Sequence, residues 1–182
     1  MILKDKNILL AVTGSIAIYK SLELIRLFIK AGSNVKVILS DGAKKFINPI
    51  TFEAISQNRV LDESSESWDK SQNYNHIDIT KWADILLIAP ATANTINKIS
   101  CVIADNLLLQ TVLACKKKII IAPAANTNMI ENPITIQSVN NLKNLGFEVL
   151  QTQTKELACK DVGNGAMLEP IDIFHKTCKE LL

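Results

Sequence analysis

Short, almost purely apolar runs of strand length recur along this chain, with longer segments of helical period between them. Residues 7–12, 35–39, 85–89 and 119–122 are such runs, among them Ile85-Leu86-Leu87-Ile88-Ala89 and Ile119-Ile120-Ile121-Ala122. Strands without a polar face must be covered on both sides, and strands joined through helices pair in parallel. The pattern predicts an α/β domain. It is a single doubly wound, mostly parallel sheet with helices on both faces, a three-layer Rossmann- or flavodoxin-like arrangement.

The first run leads through Thr13-Gly14-Ser15 into a predicted helix over about 16–30. There Ile18, Leu22, Ile25 and Ile29 share one face, and Gly32 provides the stop. The signal weakens over 43–82, read as a short helix near Ala43, another after Pro49 and a polar loop over 62–75. Helices are expected over 104–115, 134–145 and 171–182, with a last strand over 147–150. A chain of 182 residues without repeat or linker suits one domain, 1–182, with a flexible flap over about 155–170.

Composition excludes several roles. A formal net charge of +2 and no clustered basic face argue against nucleic acid as the partner. Lys44-Lys45 and Lys116-Lys117-Lys118 read as solvated surface. No apolar run is long enough to span a bilayer, and the charged start lacks the order of a signal peptide. Cys101, Cys115, Cys159 and Cys178 form no C-x-x-C pair and only two histidines are present, so no metal site is expected. Reduced thiols in the cytoplasm are the default.

In an open parallel sheet, ligands bind beyond the carboxyl ends of the strands. Gly14, Ser15 and Ile16 stand at the first such end. A glycine and a hydroxyl before a helix offer N–H groups and a favourable dipole to a single phosphate, though a plain capped turn explains them equally well. Ser40 ends the second strand, again as a phosphate contact or as a simple cap. The next two strands end in Pro90-Ala91-Thr92-Ala93-Asn94-Thr95 and Pro123-Ala124-Ala125-Asn126-Thr127-Asn128-Met129. Two prolyl loops rich in amides and hydroxyls, both fed by apolar strands, point to a site. Cys159 lies on a glycine-rich stretch that ends in Gly165-Ala166-Met167, a setting suited to an exposed, reactive thiol. His76, alone, is more often structural, and nothing suggests chemistry around His175.

Together these segments resemble the flavin-containing cysteine decarboxylases, a family that includes phosphopantothenoylcysteine decarboxylase and the peptidyl-cysteine decarboxylases of lantibiotic maturation. The likeness spans nearly the whole chain. Gly14-Ser15-Ile16 with Tyr19-Lys20 resembles the first FMN loop, and 90–95 the motif P-A-S-A-N-T with threonine for serine. His76, in an N-H-I context, falls where the family keeps its active-site histidine. Pro123 to Met129 resembles the substrate motif P-x-M-N-x-x-M, and 158–167 the cysteine flap. The resemblance implies FMN as cofactor, held by Gly14, Ser15, Ile16, Ser40, Pro90, Ala91, Thr92, Asn94, Thr95 and Ala124. It implies His76 and Cys159 as catalytic residues, and Asn126, Met129, Lys160 and Met167 as substrate contacts.

The implied reaction is decarboxylation of 4'-phosphopantothenoyl-cysteine to 4'-phosphopantetheine, a step of coenzyme A biosynthesis. Oxidation of the substrate thiol gives the carboxylate an adjacent electron sink. His76 would exchange protons, since imidazole titrates near neutrality. A thiol at Cys159, returning a proton at the end, implies net decarboxylation without net oxidation. Family likeness also implies a homo-oligomer, a trimer or a dodecamer, and a phosphopantothenate-cysteine ligase as a separate partner. Four departures stand out: Ala125 and Ile130 replace methionine and tryptophan, Lys160 replaces glycine, and Ala166 replaces an arginine. Lys160 is the candidate to restore that lost charge. The alternatives are a peptidyl-cysteine decarboxylase, a flavin prenyltransferase, a non-catalytic FMN-binding regulatory subunit and a flavodoxin-like carrier. Retention of both His76 and Cys159 disfavours the prenyltransferase and the regulatory subunit, and a near-neutral chain with a flap disfavours the carrier.

Overall fold

The computed structural model describes residues 1–69, 71, 74–156 and 162–182. Five parallel strands form the main sheet in the order β2-β1-β3-β4-β5: β1 (Asn7–Val12), β2 (Asn34–Leu39), β3 (Ile85–Ala91), β4 (Lys118–Pro123) and β5 (Glu148–Val149). Every pairing within it is parallel. The expected doubly wound sheet is therefore present, and the chain reverses its direction of progress between β2 and β3 by crossing over β1.

Alternation along the central strands sorts the core into two layers. Ile8, Leu10 and Val12 face one layer with Ile85, Leu87 and Ala89; Leu9 and Ala11 face the other with Leu86 and Ile88. The parity reverses at Ala91, which joins the second layer although Ala89 lies in the first. There the register of β3 against β4 shifts between Ile88 and Ala91, across a cis Ala89–Pro90 bond. The shift lies at the carboxyl end of β3, where the sequence places its second prolyl-loop candidate.

The first layer is covered by α1 (Tyr19–Lys30), α3 (Pro49–Ser56) and α9 (Pro170–Leu181). Phe28 of α1 is fully buried and packs on Phe174 of α9, with ring centroids 5.5 Å apart. Ile16–Ile18 form a 3-10 turn ahead of α1. Short α2 (Asp41–Lys44) follows β2. The second layer is covered by α4 (His76–Trp82), α5 (Ala93–Ser100), α6 (Leu107–Ala114) and α8 (Pro133–Asn144), with α7 (Thr127–Ile130) between β4 and α8. Helices α5 and α7 lie where the sequence suggested loop, α4 follows directly on the polar loop expected over 62–75, and a side chain caps each of the three: Asn75, Thr92 and Asn126 accept backbone N–H bonds from the first turn.

The region expected to be a flexible flap contains an antiparallel pair, β6 (Gln153–Glu156) and β7 (Val162–Ala166). Residues 157–161, between those strands, lie outside the described residues. β7 docks on the loop after β4 through a 3.0 Å bond from the Ala125 N–H to the Gly165 carbonyl. Gly165 has φ +141°, and a Cβ there would overlap the Ala125 carbonyl oxygen, so glycine is required by both conformation and space. Among the described residues, no helix is long and apolar enough to cross a membrane.

Candidate active site

Four loops meet at the carboxyl ends of β1, β2, β3 and β4. Gly14 and Gly42 let the first two approach closely: a Cβ on Gly14 would stand 2.7 Å from the Gly42 carbonyl carbon. Thr13, only 2% exposed, ties the first loop to the third. Its hydroxyl donates to the Pro90 carbonyl at 2.7 Å and accepts the Thr92 N–H at 3.0 Å. The fourth loop joins the third through the Ala124 N–H, which donates to the Ala91 carbonyl at 2.9 Å. Ser21 adds a buried bond from α1 to the Ala89 carbonyl, 2.9 Å long.

Hydroxyls and amides of these loops hold the adjoining helix starts. Ser15 accepts the Ala17 N–H at 3.3 Å, Ser40 the Ala43 N–H at 3.2 Å and Thr92 the Thr95 N–H at 3.2 Å. Thr92 and Thr95 also share a hydroxyl–hydroxyl bond of 3.0 Å. Ser15 and Ser40 thus each cap a turn, the simpler of their two suggested roles, and each also lines a cavity.

Two cavities take in candidate residues. One, of about 650 Å³, takes in Ser15, Ile16, Ala124 and Asn126 together with Met167 beyond the hairpin, and Lys20, Lys155 and Glu169 at its charged side. The other, of about 400 Å³, takes in Gly14, Ser40, Thr92, Asn94, Thr95 and Met129, with Glu63 and Lys98. Of the cofactor candidates, Pro90 and Ala91 line neither; Ala91 is fully buried and both contribute carbonyls that fasten the loops. Lys20 is buried, donating to the Met167 carbonyl at 3.0 Å and to Glu169 at 3.1 Å. Glu169 also pairs with Lys155. The Lys155 bond, against an opposing effect of burial and with the help of Lys20, holds the Glu169 carboxyl below the usual carboxylate range. Lys20, Lys155, Glu169 and Thr13 were not singled out as site residues. Thr13 carried a signal as the hydroxyl before the first glycine, and Lys20 as part of the segment that resembles the first FMN loop.

His76 stands apart. It opens α4 and lines neither cavity. Its Nδ1 lies 2.7 Å from Glu66 Oε1, and the Trp68 ring meets it edge-on at 5.4 Å between centroids. Within one chain, then, Asn126 and Met167 come together with Ser15 and Ile16, while His76 does not join them. Cys159 and Lys160 lie outside the described residues.

The family model described as Flavoprotein matches residues 2–182. The chain belongs to this flavoprotein family. It is 40% identical over 178 residues to a Streptococcus mutans protein named "Probable phosphopantothenoylcysteine decarboxylase", covering 97% of this chain and 99% of that one. It is 39% identical over 171 residues to the coenzyme A biosynthesis bifunctional protein CoaBC of Bacillus subtilis, covering 94% of this chain but 42% of the longer protein. This flavoprotein-family chain thus spans less than half the length of that bifunctional relative. Among solved structures, it superposes on a PPC decarboxylase mutant complexed with pantothenoylaminoethenethiol with a TM-score of 0.84 and 32% identity, over 96% of this chain and 97% of that one.

Proposed function

We propose that this chain binds FMN and decarboxylates 4'-phosphopantothenoyl-cysteine to 4'-phosphopantetheine. The observation that carries the reading is the larger cavity. It brings Ser15 and Ile16 of the first loop to Asn126 and Met167, more than a hundred positions later in the chain, in one space of about 650 Å³. A relative of nearly equal length, 40% identical over 97% of this chain, carries the decarboxylase name.

The loops fit FMN. Closely packed glycine backbone at Gly14 and Gly42, with the hydroxyls of Ser40, Thr92 and Thr95 around one cavity, suits a phosphate and a ribityl chain held by neutral donors. Gly14, Ser15, Ile16, Ser40, Thr92, Asn94, Thr95 and Ala124 would form the binding surface, and Pro90 and Ala91 its backing. When bound, FMN supplies the redox step that places an electron sink beside the substrate carboxylate. Asn126 would orient that carboxylate, and Met129 and Met167 would exclude water from it. Lys160 would offer charge to the anionic end, and Cys159 would return the final proton. His76 would move the proton of the reacting thiol or carbon.

His76 can reach this chemistry only if another copy supplies it, because its own chain leaves it outside both cavities. A homo-oligomer, a trimer or a dodecamer, is therefore part of the proposal. Surface around His76 and the cavities agrees: Trp68 is 66% exposed and Met129 50%. The substrate would come from a phosphopantothenate-cysteine ligase, on another polypeptide or on a further stretch of this one. The fold and its cofactor loops suit a soluble compartment, and the cytoplasm is the proposed location.

The test is to incubate the flavin-loaded protein with phosphopantothenoylcysteine and weigh the products. Loss of CO2 alone supports the reading. Loss of CO2 together with two hydrogens would keep the flavin chemistry and remove the final proton return. Unchanged substrate from a folded, yellow protein would overturn it in favour of a non-catalytic FMN-binding role.

A further inference from the structure

We infer that Glu66 is the positioning residue of His76: its carboxylate fixes the imidazole with a proton on Nδ1, so that Nε2 is the atom presented for proton exchange. The inference rests on the proposed role of His76. Its geometry does not. Glu66 Oε1 lies 2.7 Å from Nδ1, and an ionised carboxylate can only accept, so Nδ1 must carry the hydrogen. In a neutral ring that leaves Nε2 unprotonated. The two side chains are only 19% and 20% exposed, and a charge-assisted bond so placed is little weakened by solvent.

The local fold brings the pair together across the polar loop. Ser67 and Tyr74 form an antiparallel bridge, with the Ser67 N–H donating to the Tyr74 carbonyl at 2.9 Å, which sets Glu66 beside the start of α4. Asn75 caps α4 by accepting the Ile77 and Asp78 N–H groups, each at 3.0 Å. Glu66 is thus not needed as the main cap; its bond to the His76 backbone N–H is a longer 3.3 Å. The Trp68 ring also packs edge-on against the imidazole, with centroids 5.4 Å apart. A carboxylate that holds an imidazole in one tautomer, with its other nitrogen turned to the reaction, is the arrangement that makes histidine an efficient general base or acid.

The experiment compares the flavin-loaded full chain with its Glu66→Ala, Glu66→Gln and His76→Ala variants. Turnover is measured as CO2 release, and the imidazole nitrogens are observed with 15N-labelled histidine. Only two histidines are present, and a His175→Asn variant assigns the second. Glu66→Ala should lower kcat about 10- to 100-fold with KM nearly unchanged, the cost of a misplaced catalytic group. Its ring signals should move from a single Nδ1–H form towards the Nε2–H form that free imidazoles prefer. Glu66→Gln, whose amide oxygen can still accept, should fall between, and it carries the test if the alanine variant loses its flavin. Full kcat and unmoved nitrogen signals in Glu66→Ala, alongside an inactive His76→Ala, would overturn the inference and leave the role of His76 standing. Full activity in His76→Ala would overturn that role, and the inference with it.

Discussion

The loops at the strand ends and the segment around His76 are fastened in different ways. The loops hang from the central strands and are cross-tied by buried bonds: Thr13 to Pro90 and Thr92, Ala124 to Ala91, Ser21 to Ala89. His76 sits at the end of a short helix reached through a polar loop, and its nearest tie is one carboxylate ten residues earlier. On the proposed reading, the flavin surface would be fixed to the accuracy of the sheet, whereas a proton-exchanging group offered to a second copy would need only a local brace.

The sharpest way to break that contrast is to separate the two regions between chains. His76→Ala and Asn126→Ala should each lose turnover by about 100-fold or more, the usual worth of a positioned acid–base or substrate-orienting group. Mixed under conditions that allow subunit exchange, the two inactive variants should regain turnover, since some cavities then pair an intact His76 with an intact Asn126. A mixture as inactive as its components would mean that one chain completes its own site, and the proposed oligomer would fail.

Next in size is an injury confined to the loops. Gly14→Ala places a methyl 2.7 Å from the Gly42 backbone, where no flexible side chain can yield. Overpacking of this kind costs about 1–3 kcal/mol, enough to weaken flavin binding roughly 10- to 100-fold. Flavin absorbance per chain after purification reads it. The Glu66–His76 pair should be untouched, so the histidine nitrogen signals should match those of the parent protein.

How much of this was legible in the sequence follows the same division. β1, β3 and β4 are read from apolar runs because burial on both faces leaves no polar alternation to misread. The loops after them are legible because glycine, proline and hydroxyls must follow a strand that ends at a site. Helices α5 and α7 were read as loop and α4 was left unassigned: their polar residues give weak periodicity, though Asn75, Thr92 and Asn126 are the cap types that mark a helix start. Hairpin β6–β7 was missed because β6 is mostly exposed and β7 is half-buried and carries two glycines, so neither strand shows an apolar alternation. Glu66 carried no signal, since its contact with His76 depends on a loop closing through Ser67 and Tyr74 rather than on any spacing.

A smaller effect is expected at Thr13. Thr13→Val keeps the shape and removes the hydroxyl, leaving the Thr92 N–H without its acceptor and the Pro90 carbonyl with the Thr13 backbone N–H alone. Such losses cost about 1–3 kcal/mol. Thermal unfolding should show a lower Tm, with flavin content falling less than in Gly14→Ala. An unchanged Tm would mean that the sheet alone sets these loops, without their cross-ties.

The smallest effect belongs to the charged side of the large cavity and is visible only through pH. Glu169 accepts from Lys20 and Lys155, and these bonds hold its carboxyl below the usual range. A carboxyl depressed on folding binds its proton less readily in the native than in the unfolded chain. Its stabilisation is therefore present above the ordinary carboxylate pKa and disappears as the pH falls through the lower native value. Glu169→Gln should unfold at a slightly lower temperature than the parent at neutral pH, and the gap should close in acid as both carry a neutral group there. Because Glu169 and Lys155 are partly exposed, solvent keeps the gap small. Lys20, with its side chain only 10% exposed, keeps an accepting oxygen in Glu169→Gln but loses the negative charge that faces its ammonium group. If the gap instead persisted unchanged into strong acid, the ion pairs would not be its source, and loss of shape at the cavity wall would have to be.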